Sequence, residues 1–292
     1  MKDEIVIAQA LNGQVRIHIA CTTELVETAR IKHDCMPTSI AALGRTLTAT
    51  AIMASDLKNT YESVTSIING HGPAGTILAQ GRGDGKVRGF IGDPTLHYVR
   101  EDGHLDVARA VGTNGTLTVI RNMGLKEPFT GVADLQTGEI GDDYTYYFAI
   151  SEQIPSVVGV GVLVDTDYTI KAAGGLIYQL MPGASEEAIV YCEQLAARQK
   201  AVSTLMVEGN SLEEIILEYF PDAEILEHKD VKWFCGCSKE HFADSLMTLA
   251  DKDLEEMIED GEGAEIHCQY CNTYYQFNNE EIKEIYGRKK SS

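Results

Sequence analysis

Trp233-Phe234-Cys235-Gly236-Cys237-Ser238 and Ile266-His267-Cys268-Gln269-Tyr270-Cys271-Asn272-Thr273 are the two stretches from which the organisation of this chain is read. The pattern is Cys-X-Cys, thirty intervening residues, then Cys-X-X-Cys. Four thiolates in two close pairs can surround a zinc ion tetrahedrally, each sulfur about 2.3 Å from the metal. A two-residue gap suits a tight turn whose amides point at sulfur. In the first pair an extended backbone would send Cys235 and Cys237 to opposite faces, so the chain must bend there, and Gly236 permits the bend. Cys235, Cys237, Cys268 and Cys271 are therefore the expected metal ligands, with one zinc ion as cofactor. His267 is a spare donor that four sulfurs make unnecessary, and hairpin packing is its expected role. Structural disulfides and plain buried thiols are the competing readings.

The residues around these cysteines form a small unit. Ser238 is placed to cap a helix bearing Phe242, Leu246 and Leu249, and Asp251 another bearing Leu254, Met257 and Ile258. The second cysteine pair falls at the turn of a hairpin that continues through Tyr274-Tyr275-Gln276-Phe277. A last short helix with Ile282 and Ile285 is expected to stop at Gly287, and Trp233 to anchor the unit. A module of this size buries only about 60% of its unfolded surface and needs a staple. A structural zinc supplies on the order of 10–16 kcal/mol in finger peptides. Zinc also keeps its sulfurs as thiolates, the form an oxidant attacks, so oxidation would expel the metal and unfold the unit.

Upstream, Ser185-Glu186-Glu187 opens an acidic helix with Ile189, Cys192, Leu195, Ala196 and Val202 at helical spacing. Ser211-Leu212-Glu213-Glu214 is a capping box opening a second, which ends near Pro221. Earlier still, Asn12-Gly13 joins two strands as a hairpin. Thr38 is expected to cap a helix to about Asp56 with Ile40, Leu43, Leu47 and Ala51 inward, and Asp142 to cap one over 142–152. Strands and Gly-rich turns fill most of 62–174. Helix and strand signals mix without a βαβ alternation, so the expected class is α+β. The expected division is a core over 1–183, a helical linker over 184–230 and a cysteine module over 231–292.

Composition bounds the function. The chain has 292 residues, 44% hydrophobic and 23% charged, and its 24 Lys and Arg face 44 Asp and Glu for a net charge of −20. Phosphate would be repelled, which disfavours a nucleic-acid partner. No apolar run reaches the length of a membrane helix; the longest is Val157 to Val164. Met1-Lys2-Asp3-Glu4 does not read as a leader, and with seven cysteines, an odd number, a cytoplasmic location is expected.

The two cysteine pairs, with Ser151-Glu152-Gln153-Ile154-Pro155-Ser156, Gly174-Gly175-Leu176-Ile177-Tyr178-Gln179-Leu180-Met181-Pro182-Gly183 and Leu43-Gly44-Arg45-Thr46-Leu47-Thr48-Ala49-Thr50, resemble the thirty-three-kilodalton heat-shock proteins, a family of redox-regulated holdase chaperones. The resemblance spans nearly the whole chain. It implies an N-terminal α+β core, a metastable helical linker and a C-terminal zinc module, inactive while reduced and zinc-bound. It further implies that oxidation forms the Cys235–Cys237 and Cys268–Cys271 disulfides, releases zinc, melts the linker and exposes apolar surface to unfolding clients without ATP. A dimer on activation and transfer of clients to an ATP-dependent foldase belong to the same expectation. Ile189, Leu195, Val202, Leu212, Ile215 and Ile216 need a surface to cover, and would become a sticky face if it loosened.

Other motifs read as structure. Gly70-His71-Gly72-Pro73-Ala74-Gly75 matches a dinucleotide fingerprint, but Pro73 and the strand after it deny the required helix. Arg82, Lys86 and Arg88 read as solvated charges, and Cys21, Cys35 and Cys192 as small buried hydrophobes. No catalytic constellation stands out, so no enzyme is expected. The alternatives are a thiol–disulfide oxidoreductase using Cys268 and Cys271, weakened by their place on a hairpin, and a static zinc adaptor.

Overall fold

The computed structural model describes residues 1–291, which fold as α+β in two compact units, Met1–Phe234 and the residues from Cys235 onward. The first opens with the hairpin β1 (Glu4–Ala10) and β2 (Val15–Cys21), whose turn takes positive φ at Leu11, Asn12 and Gly13. Helices α1 (Thr23–His33) and α2 (Pro37–Ser55) follow, then the meander β3 (Ser63–Asn69), β4 (Ile77–Arg82) and β5 (Lys86–Ile91). A short α3 (Val107–Val111) leads into the hairpin β6 (Thr116–Asn122) and β7 (Phe129–Asp134). Helix α4 (Gly141–Tyr147) runs into a π-helical turn over Phe148–Glu152, before the long hairpin β8 (Ser156–Val164) and β9 (Ile170–Leu180). Three helices, α5 (Glu186–Arg198), α6 (Val202–Val207) and α7 (Leu212–Tyr219), precede β10 (Glu224–Asp230) and β11 (Lys232–Trp233).

Two sheets result. One has the order β10-β1-β2-β9-β8, antiparallel throughout; the other runs β11-β5-β4-β3-β6-β7, with β11 alone parallel to its neighbour. Helix α2 lies between them, against β3, β4 and β5 of one and β8 and β9 of the other. That position explains why it is buried all round, with only Arg45 partly exposed, where the sequence suggested a single inward face. Its start also differs from expectation. Pro37 occupies the first turn, where its missing N–H costs nothing, and the Thr38 hydroxyl donates to the Tyr98 carbonyl at 2.9 Å.

Residues 184–230 lie within the first unit, and their helices cover the outer face of the five-stranded sheet. Leu195, Val202, Leu205, Leu212, Ile215, Ile216 and Phe220 are buried against Val6, Val15, Ile17, Ile19, Leu176 and Tyr178, while Ile189 is half-buried. The helical run breaks at Gln199-Lys200-Ala201, and β10 adds to β1 as an edge strand that periodicity did not suggest. Ser185 and Ser211 cap α5 and α7 as expected, the latter with the full capping box to Glu214. For α4 the expected cap is wrong. The helix starts at Gly141, and Asp143 organises the preceding turn by accepting from the amides of Gln136 at 2.7 Å and Ile140 at 3.1 Å. Trp233 belongs to this unit, packed on its core and edge-on to His33 with ring centroids 6.1 Å apart, so it is no anchor of the cysteine unit. Among the described residues no helix is long and apolar enough to cross a membrane.

The second unit consists of α8 (Lys239–Leu246), α9 (Asp251–Asp260), the hairpin β12 (Ala264–Cys268) and β13 (Thr273–Phe277), and α10 (Asn279–Lys290). Its buried core is Ala243, Leu246, Leu254, Phe277, Ile282 and Ile285. Ser238 caps α8, its hydroxyl accepting from the His241 amide at 3.1 Å. Asp251 is the first residue of α9, not its cap, and pairs with Lys289 at 2.6 Å. Helix α10 does not stop at Gly287. Arg288 and Lys289 reach back to Asp244 and Asp251, which holds the last turn helical through the glycine.

Candidate metal centre

Each half of the cysteine cluster is shaped by local backbone. Gly236 takes φ 73°, a conformation that side chains resist, and this bend turns Cys235 and Cys237 to the same side. In the second half the chain leaves β12 at Cys268 and turns sharply. The amides of Cys271 and Asn272 both donate to the Cys268 carbonyl, at 3.3 and 2.8 Å, and Asn272 sits at φ 57°. Main-chain donors face the sulfurs: in the second pair, as the spacing suggested, the amides of Tyr270 and Cys271 point towards Cys268 and that of Thr273 towards Cys271, and in the first pair the Cys237 amide points towards Cys235.

All four Sγ atoms lie within 4.8 Å of one another. Cys235 and Cys268 are 3.5 Å apart and Cys237 and Cys271 3.2 Å. Four sulfurs about 2.3 Å from a tetrahedral metal would stand about 3.8 Å from each other, so the cluster fits a four-thiolate ion with small adjustments. Cys268 and Cys271 are buried, and Cys235 and Cys237 partly exposed. Burial pushes the Cys235 and Cys268 thiols up. Burial opposes ionisation of Cys271 too, but hydrogen bonds from Thr273 and the neighbouring thiols outweigh it and bring this thiol down to about 7. A divalent cation among the sulfurs would displace the remaining protons and leave four thiolates.

Two hydroxyls that sequence reasoning did not single out border the cluster: Tyr275 Oη lies 3.2 Å from Cys237 Sγ, and Thr273 Oγ1 3.3 Å from Cys271 Sγ. The alternation of β13, which carries Thr273 and Tyr275 on one face behind Cys271, is the signal that could have located them. His267 is not a donor to the cluster. Its Nε2 lies 2.7 Å from Asn272 Oδ1 and its ring stacks on Tyr274. Cys21, Cys35 and Cys192 are buried in the first unit, where burial pushes the thiols of Cys35 to about 12 and Cys192 to about 11.

The family model described as Hsp33 protein matches residues 3–278. The 33 kDa chaperonin of Geobacillus kaustophilus is 46% identical over 288 residues, covering 98% of both chains. That of Bacillus subtilis is 45% identical over 285 residues, covering 97% of this chain and 98% of its own. The crystal structure of the 33 kDa chaperonin from Thermotoga maritima superposes with a TM-score of 0.90 at 32% identity and full coverage of both chains.

Proposed function

Because the chain belongs to the Hsp33 family, we propose that it is a redox-regulated, ATP-independent holdase, resting while its four cysteines hold zinc and active once they are oxidised. The observation that carries this reading is the convergence of Cys235, Cys237, Cys268 and Cys271 within 4.8 Å in a unit whose buried core, among the described residues, is six apolar side chains. Zinc fits that donor set: it accepts four thiolates tetrahedrally and has no redox chemistry of its own. When bound, it supplies cross-linking of the two cysteine pairs and keeps all four sulfurs ionised.

The chain's own residues do the rest. With hydrogen peroxide as oxidant, one thiolate of each pair attacks a peroxide oxygen and breaks the O–O bond, and its partner then displaces that oxygen; Cys235 joins Cys237 and Cys268 joins Cys271, and each peroxide takes up two electrons and two protons to leave as two waters. Disulfide sulfurs are poor ligands, so the oxidised Cys235, Cys237, Cys268 and Cys271 would no longer hold a zinc ion, and the unit would lose the cross-link between its two cysteine pairs. We read residues 184–230 as the metastable linker. Its strand β10 ends at Asp230, five residues before Cys235, so disorder in the cysteine unit reaches it directly along the chain. Freed from the sheet, Leu195, Val202, Leu205, Ile215 and Ile216, with the strand residues they cover, form an apolar surface for unfolding clients. The excess of acidic residues keeps such complexes soluble.

Light scattering from a heat-aggregating client tests the proposal. The peroxide-treated protein is expected to suppress aggregation at near-stoichiometric ratio and the reduced, zinc-loaded protein to do little. Equal protection by both forms would remove the switch.

A further inference from the structure

The five-stranded sheet has two edges of opposite character. One is β10, Glu-Ile-Leu-Glu-His-Lys-Asp, whose charges discourage pairing with another strand. The other is β8, Ser-Val-Val-Gly-Val-Gly-Val-Leu-Val, with no charge and five β-branched residues. Natural proteins blunt such edges because they invite a further strand; this one carries no charge or proline, helix α4 covers it at Val158, and its ladder with β9 shifts register between Leu163 and Val164.

Its pairing direction can be worked out. The Val158 N–H donates to Thr145 Oγ1 at 3.2 Å, away from β9. In an antiparallel strand the N–H and C=O of one residue point the same way, and alternate residues share that direction. Val160 and Val162 therefore also point outward, and among the described residues no main-chain group pairs with them on that side. A groove of about 1040 Å³ runs along this edge, walled by the 97–105 loop on one side and by residues 196–204, around the α5–α6 break, on the other. Its charges are largely neutralised locally: Arg45 and Arg100 both meet Glu139, at 2.9 and 3.3 Å, and Lys200 meets Glu208 at 2.8 Å.

We infer that the open edge of β8, over Val160–Val164, is a docking strand at which an extended apolar segment of an unfolding polypeptide adds to the sheet by main-chain pairing. This rests on the holdase reading and says where, and in what conformation, a client is held. Five residues of edge span about 16 Å, and main-chain bonds supply affinity without sequence selectivity, which suits a site for many clients. An unfolding chain offers the complement, unpaired backbone flanked by apolar side chains, and a neutral groove does not select for charge. The wall formed by the linker also ties the site to the switch. Helix α6 lies over the glycines of β8, the Ser203 nitrogen standing 2.9 Å from where a Cβ on Gly161 would be, so departure of the linker widens the groove.

The test uses the full-length oxidised protein and an uncharged, valine-rich heptapeptide, with a counterpart N-methylated at alternate residues along one edge. With the peptide at tenfold its dissociation constant, the Val160 and Val162 amides should exchange about tenfold more slowly. The N-methylated counterpart should not bind. Val160→Pro deletes one outward N–H but no bond to β9; it should weaken the parent peptide about fivefold, with the zinc content of the reduced variant unchanged. Unaltered exchange at Val160 and Val162 under saturating peptide, or equal binding of the N-methylated form, overturns the inference. So does slowing that depends on protein concentration alone, which would assign the edge to a second copy of this chain. Peptide pairing on β8 without client protection would leave the docking strand standing and sink the holdase reading; client protection without that pairing would do the reverse.

Discussion

The Tyr275 hydroxyl stands 3.2 Å from Cys237 Sγ, and a thiolate there can only accept its hydrogen. Groups that support metal ligands in this way typically govern affinity by 10–100-fold. Tyr275→Phe should therefore weaken zinc binding by about tenfold, read by competition with a chromogenic chelator, while the far-UV spectrum of the zinc-loaded form is unchanged. A second residue with a measurable signature is Asp3, in the first unit. Its buried carboxylate accepts from the amides of Leu25 at 2.7 Å and Glu24 at 3.1 Å, capping α1, yet burial dominates and raises its pKa to about 6. The unfolded value is about 3.9, so the fold favours the protonated acid. That stability is fully present below the unfolded value and is lost as pH rises through 6. Urea midpoints of Asp3→Asn should lack this slope, its stability relative to the parent rising by on the order of 2 kcal/mol between pH 4 and 7; parallel profiles would contradict the assignment. The four cysteines were legible in the sequence because metal ligation fixes residue type and spacing together. Asp3 and Tyr275 were not, because a cap supplied from twenty residues away and a hydroxyl facing a sulfur leave no local pattern.

At the scale of elements, the seat of α6 is a pair of glycine-floored strands. A Cβ on Gly161 would meet the Ser203 backbone nitrogen at 2.9 Å, and one on Gly174 the Met206 side chain at 3.0 Å. Gly161→Ala should lift α6 at a cost of about 1–3 kcal/mol. The expected outcome is faster proteolysis around residues 199–201 and partial client protection by the reduced, zinc-loaded variant; unchanged proteolysis would mean that the floor does not hold the helix. Elements with self-contained signals were readable in advance: the capped helices α5, α7 and α8, and the β12–β13 hairpin with its cysteine turn. Helix α1 was missed because Thr-Glu-Leu-Val-Glu-Thr-Ala-Arg-Ile-Lys-His has little amphipathic pattern and no local cap. Strand β10 was missed because its charged sequence becomes a strand only by pairing with β1, more than 200 residues earlier. Trp233 was misplaced for a related reason, since its partner His33 is remote in sequence.

For the molecule as a whole, order is distributed unequally. The first unit has α2 enclosed between two sheets and a second apolar layer beneath α5–α7; the second has a handful of buried side chains and four sulfurs. Of the net −20, the stretch from residue 184 onward holds 24 acids against 10 bases, so self-repulsion works against compactness where the core is thinnest. The central claim is that a metal held by those sulfurs orders the second unit, and that its loss is felt by the helices over the sheet. Amide hydrogen exchange on the full chain, followed by mass spectrometry through a peroxide titration, tests this most directly. Protection should fall across residues 239–290 and 186–219 in step with zinc release, while α2 and β9 keep theirs. Undiminished protection in both segments after zinc has left and two disulfides have formed would contradict the account.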